Sequence, residues 1–427
     1  MPTREPSVPC WGQGSDGAIP RGPAGSTIAE DLAPEPARST SHPDADRPPR
    51  TTNHEPHGAP MSAVSPTTGP PEAHRSGIPV TDGDVEAIDQ RLKEVLAATA
   101  HRLPTMTRPL VDLFDGLEAM ALDGKKVRPL LLMRTFRDLG GVDVASAVEA
   151  ACASELLHLA LLAHDDVIDG DLYRRGAPNI YGRFHTDALD RGGTPQQAET
   201  WGKASAILAG DILLSAAQGL LARLDVPEDR RRAVLDIYDE AILRSASGEH
   251  TDVWLTLDAK ENTTSTILEM MKDKTAAYSF ELPVRIGAVL AGAESELAAS
   301  LAHIGGDLGA IYQLRDDLLG VFGDESRTGK SVVSDLREGK QTLLVAYARS
   351  HAGWSDVEEY FGDPGLRPED AERIRAVLNS SGARDRVEKL IEDSGRSLEV
   401  RLADSGLPGC LRETLTGMIR YSASRIS

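Results

Sequence analysis

The stretch Leu156-Leu157-His158-Leu159-Ala160-Leu161-Leu162-Ala163-His164-Asp165-Asp166-Val167-Ile168-Asp169 decides how the rest of the chain is read. Its apolar residues continue back to Val144 without period-two alternation, so the segment reads as one long helix. A four-residue interval places Asp165 above Asp169 on one face at the end of that helix, where like charges repel. A charge cluster is usually just a solvated helix end. Here three carboxylates adjoin the apolar run Leu159 to Ala163, a neighbourhood expected to be buried, and a divalent cation would relieve the repulsion.

Similar apolar patterns run from Met120 to Leu139, Ala204 to Leu224, Arg230 to Ser247, Ile267 to Leu290 and Leu297 to Leu319. An earlier helix is predicted from Val85, Ile88, Leu92, Val95 and Leu96, opened by Thr81 and Asp84 at capping-box spacing. No stretch alternates as a strand would. The pattern predicts a single all-α domain over residues 81–427, a bundle of many helices. Residues 1–80 hold sixteen of the 26 prolines and one aromatic residue, Trp11, too little apolar surface to offset ordering entropy. They are expected to be a disordered Pro-rich tail, with Met61 as an alternative start.

The 427 residues carry 46 Lys and Arg against 66 Asp and Glu, a net charge of −20. That balance argues against nucleic acid as a partner, because phosphate backbones select a basic face. Hydrophobic residues at 40% suit a globular chain. Cys10, Cys152 and Cys410 are too dispersed for a metal knuckle or a disulfide scaffold, which fits a reducing cytoplasm. No run approaches the ~18 uninterrupted apolar residues of a spanning helix, so no transmembrane segment is expected.

About 150 residues after the first acidic cluster, Tyr312-Gln313-Leu314-Arg315-Asp316-Asp317-Leu318-Leu319-Gly320 ends another apolar helix with a second acidic pair. If the two ends face each other they form an oxygen-rich clamp, and Mg²⁺ prefers oxygen ligands, bridging carboxylates to substrate phosphates. The implied substrate carries a diphosphate. Matching cations stand nearby in sequence: Lys125 and Arg128 at the start of a helix, Arg174 and Arg175 after the first cluster, and Lys274, Lys330 and Lys340 around the second. In an acidic protein a single basic residue is more often a surface ion-pair partner. It is their joint appearance beside two metal-type clusters that shifts the reading.

From about Val85 onward these residues resemble the trans-isoprenyl diphosphate synthases, or polyprenyl synthetases, and the actinobacterial geranylgeranyl diphosphate synthases among them. The likeness runs through Gly124 to Pro129, Glu155 with His158, the DDxxD of Asp165 to Asp169, Arg174 to Gly176, Gly210-Asp211, Lys274-Thr275 and the second aspartate-rich motif at Asp316. Seven elements in order are highly specific. The resemblance implies antiparallel helices around a central cavity, a homodimer, and head-to-tail condensation of isopentenyl diphosphate with an allylic diphosphate. It implies that Asp165, Asp169 and Asp316 hold Mg²⁺ on the allylic diphosphate, with Asp166 and Asp317 in support. Arg174, Lys274 and Lys330 would contact the same diphosphate. Lys125, Arg128, His158 and Arg175 would hold isopentenyl diphosphate, with Lys340 at the mouth.

Thr275 and Gln313 offer neutral oxygen dipoles to a carbocation without being readily alkylated. Product length, in this family, is expected to depend on side chains one and two turns before Asp165: Leu157, Ala160 and Leu161. No bulky aromatic stands there, which favours geranylgeranyl diphosphate. The chain departs from the family pattern at Gly320, where the second motif has its fifth Asp; at Lys126, for Arg; at Tyr181, for His; and at Glu249, for Gln in a GQxxD element from Gly248 to Asp252. Two other classes fit less well. A class I terpene cyclase needs no second diphosphate site, and a catalytically silent regulatory subunit is expected to lose the first motif.

Overall fold

The computed structural model describes residues 78, 82–174, 176–257, 263–323 and 332–425. Thr81 of the capping pair, the tail apart from Ile78, Arg175 and Lys330 lie outside these residues. The described chain is all-α apart from a two-residue hairpin, β1 (Tyr173–Arg174) and β2 (Ala177–Pro178). Its first helices are α1 (Asp82–His101), α2 (Arg108–Leu122), α3 (Val127–Asp138) and α4 (Val144–Ile168). Next come α5 (Ile180–Asp190), α6 (Pro195–Ala222), α7 (Glu228–Leu257), α8 (Thr264–Met271), α9 (Leu282–Ala291) and α10 (Ser295–Phe322). Helices Ser334–Glu338, Leu343–Ala348, Pro368–Ser380, Ala383–Ala403 and Gly409–Ser424 complete the bundle.

The pattern Met120 to Leu139, expected as one helix, is two. Gly124 (φ 95°) and Lys126 (φ 50°) take left-handed backbone and turn the chain between α2 and α3. A lysine accepts that strain because its buried ammonium is anchored, donating to the Asp123 carbonyl at 2.5 Å and lying 3.8 Å from Glu155. The pattern Ile267 to Leu290 is also divided. Between α8 and α9 the chain widens into a π-helical stretch, Lys272–Glu281. α6 starts at Pro195, earlier than its apolar pattern, because Thr194 and Gln197 form a reciprocal capping box.

α4 is the central helix. Leu156, Leu157 and Ala160 have no exposed surface, and each such leucine contributes roughly 1.5–3 kcal/mol of burial. The lack of an unbroken apolar run does not exclude long helices of high mean hydropathy. By length and composition α4 and α6 both qualify, because mean hydropathy over a window tolerates the polar residues that interrupt an unbroken run. In the fold this apolarity serves packing, with 72% of the α4 window and 50% of the α6 window buried inside the protein.

Candidate active site

One cavity of about 2070 Å³ opens between α2, α3, α4, α7, the π-helical stretch and α10. Lys125, Arg128, His158, Leu161, Asp165, Asp166, Arg174, Lys274, Thr275, Gln313, Asp316, Asp317 and Lys340 all line it. The two acidic helix ends, distant in sequence, therefore share one space. Asp169 does not line the wall, but Lys340 reaches it at 3.2 Å. Leu157 and Ala160 do not line it either; they are wholly buried, and the apolar wall beside Leu161 is made by Leu159 and Leu162. Arg175 and Lys330 are outside the described residues.

At the first cluster Arg174 donates to Asp166 at 2.6 and 2.8 Å and to Asp165 at 2.9 Å. Burial outweighs this pairing for Asp166 and pushes its carboxyl up to about 6. Lys274 lies 2.8 Å from Asp252, 2.9 Å from Glu249 and 3.5 Å from Asp165. Burial works against its charge, but the three carboxylates prevail and hold the ammonium well above the usual amine range. Lys340 occupies a second nest of carboxylates, 2.8 Å from Glu338, 3.2 Å from Asp169 and 3.7 Å from Asp335. Two ammonium groups thus neutralise the acidic walls.

The residues present fit a hard divalent cation. Asp165, Asp169 and Glu249 each offer a carboxylate oxygen, all within 4.8 Å of one another. Asp316 is not in that group. It faces the same cavity, but its carboxylate is paired with Arg425, whose guanidinium lies 3.6 Å over the Tyr312 ring. Gly320 also has a structural reason. A Cβ there would fall 1.9 Å from Oδ2 of Asp335, so the space of a fifth-position side chain already belongs to a carboxylate from the following helix.

A separate set of cations lies at the α3 side. Arg128 donates to the Ser279 hydroxyl at 2.7 Å and sits 4.9 Å from the Tyr278 ring centroid. Tyr278 in turn stacks on His158, with 5.9 Å between centroids, and Lys125 reaches the Tyr421 hydroxyl at 3.3 Å. Tyr278, Ser279, Tyr421, Arg425 and Asp335 were not read from the sequence as site residues. They come from three stretches far apart in the chain, and no local motif singles them out.

Asp317 is a buried carboxylate of the second cluster. It accepts from Gln313 at 2.9 Å, yet burial raises it to about 8, far above its ordinary 3.8. The sign follows: the folded state keeps a proton that the unfolded chain has released, so this group lowers stability progressively as pH rises from about 4 to about 8. Asp317→Asn is expected to raise the Tm of the divalent-free protein at pH 8 and to lose that advantage at pH 4. Parallel Tm–pH curves for the two proteins would refute the assignment.

A model of the polyprenyl synthetase family matches residues 114–380. A geranylfarnesyl diphosphate synthase of Aeropyrum pernix is 33% identical over 305 residues, covering 70% of this chain and 87% of its own. A geranylgeranyl diphosphate synthase of Methanosarcina mazei is 32% identical, covering 80% of this chain and 98% of its own. Among solved structures, geranylgeranyl pyrophosphate synthase of Corynebacterium glutamicum, complexed with isoprenyl diphosphate and magnesium, superposes with a TM-score of 0.75 at 29% identity. That match covers 81% of this chain and 99% of the other.

Proposed function

The chain belongs to the polyprenyl synthetase family, and from that premise we propose that it is a Mg²⁺-dependent trans-prenyltransferase. It condenses isopentenyl diphosphate head to tail with an allylic prenyl diphosphate to give geranylgeranyl diphosphate. The observation that carries this reading is the single cavity shared by two acidic helix ends and two separate sets of cations. A reaction that joins two diphosphates needs both sets.

In this reading Asp165, Asp169 and Asp316 would hold Mg²⁺, which would supply charge neutralisation for the leaving diphosphate. Arg174 and Lys274 bind the allylic diphosphate. Lys125, Arg128 and His158 bind isopentenyl diphosphate, while Lys340 bridges the carboxylates nearby. The allylic C–O bond breaks with its electron pair leaving on the diphosphate. The double bond of isopentenyl diphosphate then attacks the cation, and the released diphosphate takes the final proton. Thr275 and Gln313 face the cation with neutral oxygen dipoles, and the apolar wall keeps water away.

Residues 81–427 form the catalytic domain in this reading, and the setting is cytoplasmic, in keeping with the free thiols of Cys152 and Cys410. A homodimer is supported by exposed apolar side chains on α6 and α7: Ile207 is 44%, Leu208 56% and Leu243 72% exposed. The test is labelled isopentenyl diphosphate with an allylic primer and Mg²⁺, read by mass spectrometry. Elongated diphosphate supports the reading. Cyclic hydrocarbon from geranylgeranyl diphosphate alone would replace it with a cyclase, and turnover only with an added active synthase would make the chain a regulatory subunit. Because Leu161 lines the cavity, Leu161→Phe is expected to shorten the main product by about one five-carbon unit, as one helical turn rises ~5.4 Å. An unchanged product would place the floor elsewhere.

A further inference from the structure

Glu249 stands on α7 at a position where the family resemblance has an uncharged amide, and the fold directs it into the metal-type cluster. α7 approaches the π-helical stretch at backbone contact: a Cβ on Gly248 would lie 2.1 Å from the Lys274 backbone nitrogen. This close approach sets the next residue against Lys274 and Asp165. One Glu249 oxygen lies 2.9 Å from the Lys274 ammonium. The other, Oε1, is buried without a hydrogen-bond partner. A buried carboxylate oxygen without a donor is costly, and a cation is the ligand that relieves it. A Glu249 oxygen lies within 4.8 Å of oxygens from both Asp165 and Asp169.

We propose that Glu249 is a third carboxylate ligand of the first metal cluster, so that this enzyme binds a divalent cation before any diphosphate arrives. The inference rests on the prenyltransferase reading above and adds the order in which its site is assembled. Two carboxylates leave most of a cation's coordination to water and phosphate, and a third raises both the ligand count and the local negative charge. Substrate oxygens are then needed to complete the site rather than to create it.

The experiment measures Mn²⁺ binding to the full chain without substrate, by loss of the free-ion EPR signal. The wild type is compared with Glu249→Gln, Glu249→Asp and Asp165→Ala. Glu249→Gln is expected to weaken Mn²⁺ binding about 10- to 100-fold, with much of the loss recovered when inorganic pyrophosphate is added. Glu249→Asp, which keeps the charge, is expected to stay closer to the wild type and guards against a variant that merely misfolds. Equal Mn²⁺ affinity in Glu249→Gln and wild type, with binding lost in Asp165→Ala, overturns the role of Glu249 and leaves the prenyltransferase reading standing. Retention of both Mn²⁺ binding and condensation in Asp165→Ala overturns the two together.

Discussion

Asp165→Ala is expected to lower condensation turnover by roughly 10³-fold or more, the scale lost when charge stabilisation of a leaving group is removed. The circular dichroism spectrum is expected to stay the same. Asp165 is the carboxylate on which the site converges: Arg174 donates to it at 2.9 Å, Lys274 lies at 3.5 Å, and it shares the cation-sized cluster with Asp169 and Glu249. Its side chain is at the wall of a cavity, not in the packed core, so its loss leaves no apolar void. Steady-state assays with labelled isopentenyl diphosphate measure the effect. A decrease of less than tenfold would mean that the metal is held elsewhere.

Lys274→Ala is expected to reduce kcat/KM for the allylic diphosphate by about 10²- to 10³-fold. It also removes the ammonium shared by Asp165, Glu249 and Asp252, and breaking one side of a buried ion pair is strongly destabilising because the remaining charges go uncompensated. The Tm of the divalent-free variant should therefore fall, and Mg²⁺ should restore more of it than it adds to the wild type. The Mg²⁺ response separates a site residue from a merely structural one. An equal Mg²⁺ shift in both proteins would argue against Lys274 standing in the metal-type cluster.

Much of this site was legible in the sequence for a simple reason. Motifs carried by one helix end, such as Asp165 to Asp169, keep their geometry from local spacing alone, and Asp165 and Asp169 are found together. The separation into two helix-borne clusters was legible too, since Asp316 does face the same cavity. What spacing could not give was partnership between distant helices. Asp316 is paired with Arg425 rather than gathered with Asp165, and Glu249 joins the cluster through the close packing of α7. Leu157 and Ala160 illustrate the same limit: the family resemblance implies them as the floor, but only the packed bundle shows that they are buried and that Leu161 reaches the cavity wall. The fold was read where apolar runs were long. It was missed where left-handed backbone at Gly124 and Lys126 broke such a run, and after residue 331, where helices such as Ala383–Ala403 carry many charged residues between their apolar ones.

The π-helical stretch Lys272–Glu281 bears on how this architecture tolerates change. Such a stretch closes its hydrogen bonds over five residues instead of four, so it holds more chain per turn than its neighbours. A segment shortened by one residue would relax to ordinary winding and rotate the ammonium of Lys274 away from its three acidic partners. Homologous enzymes with one residue fewer between these flanking helices would have to rebuild this ion-pair network from a different position.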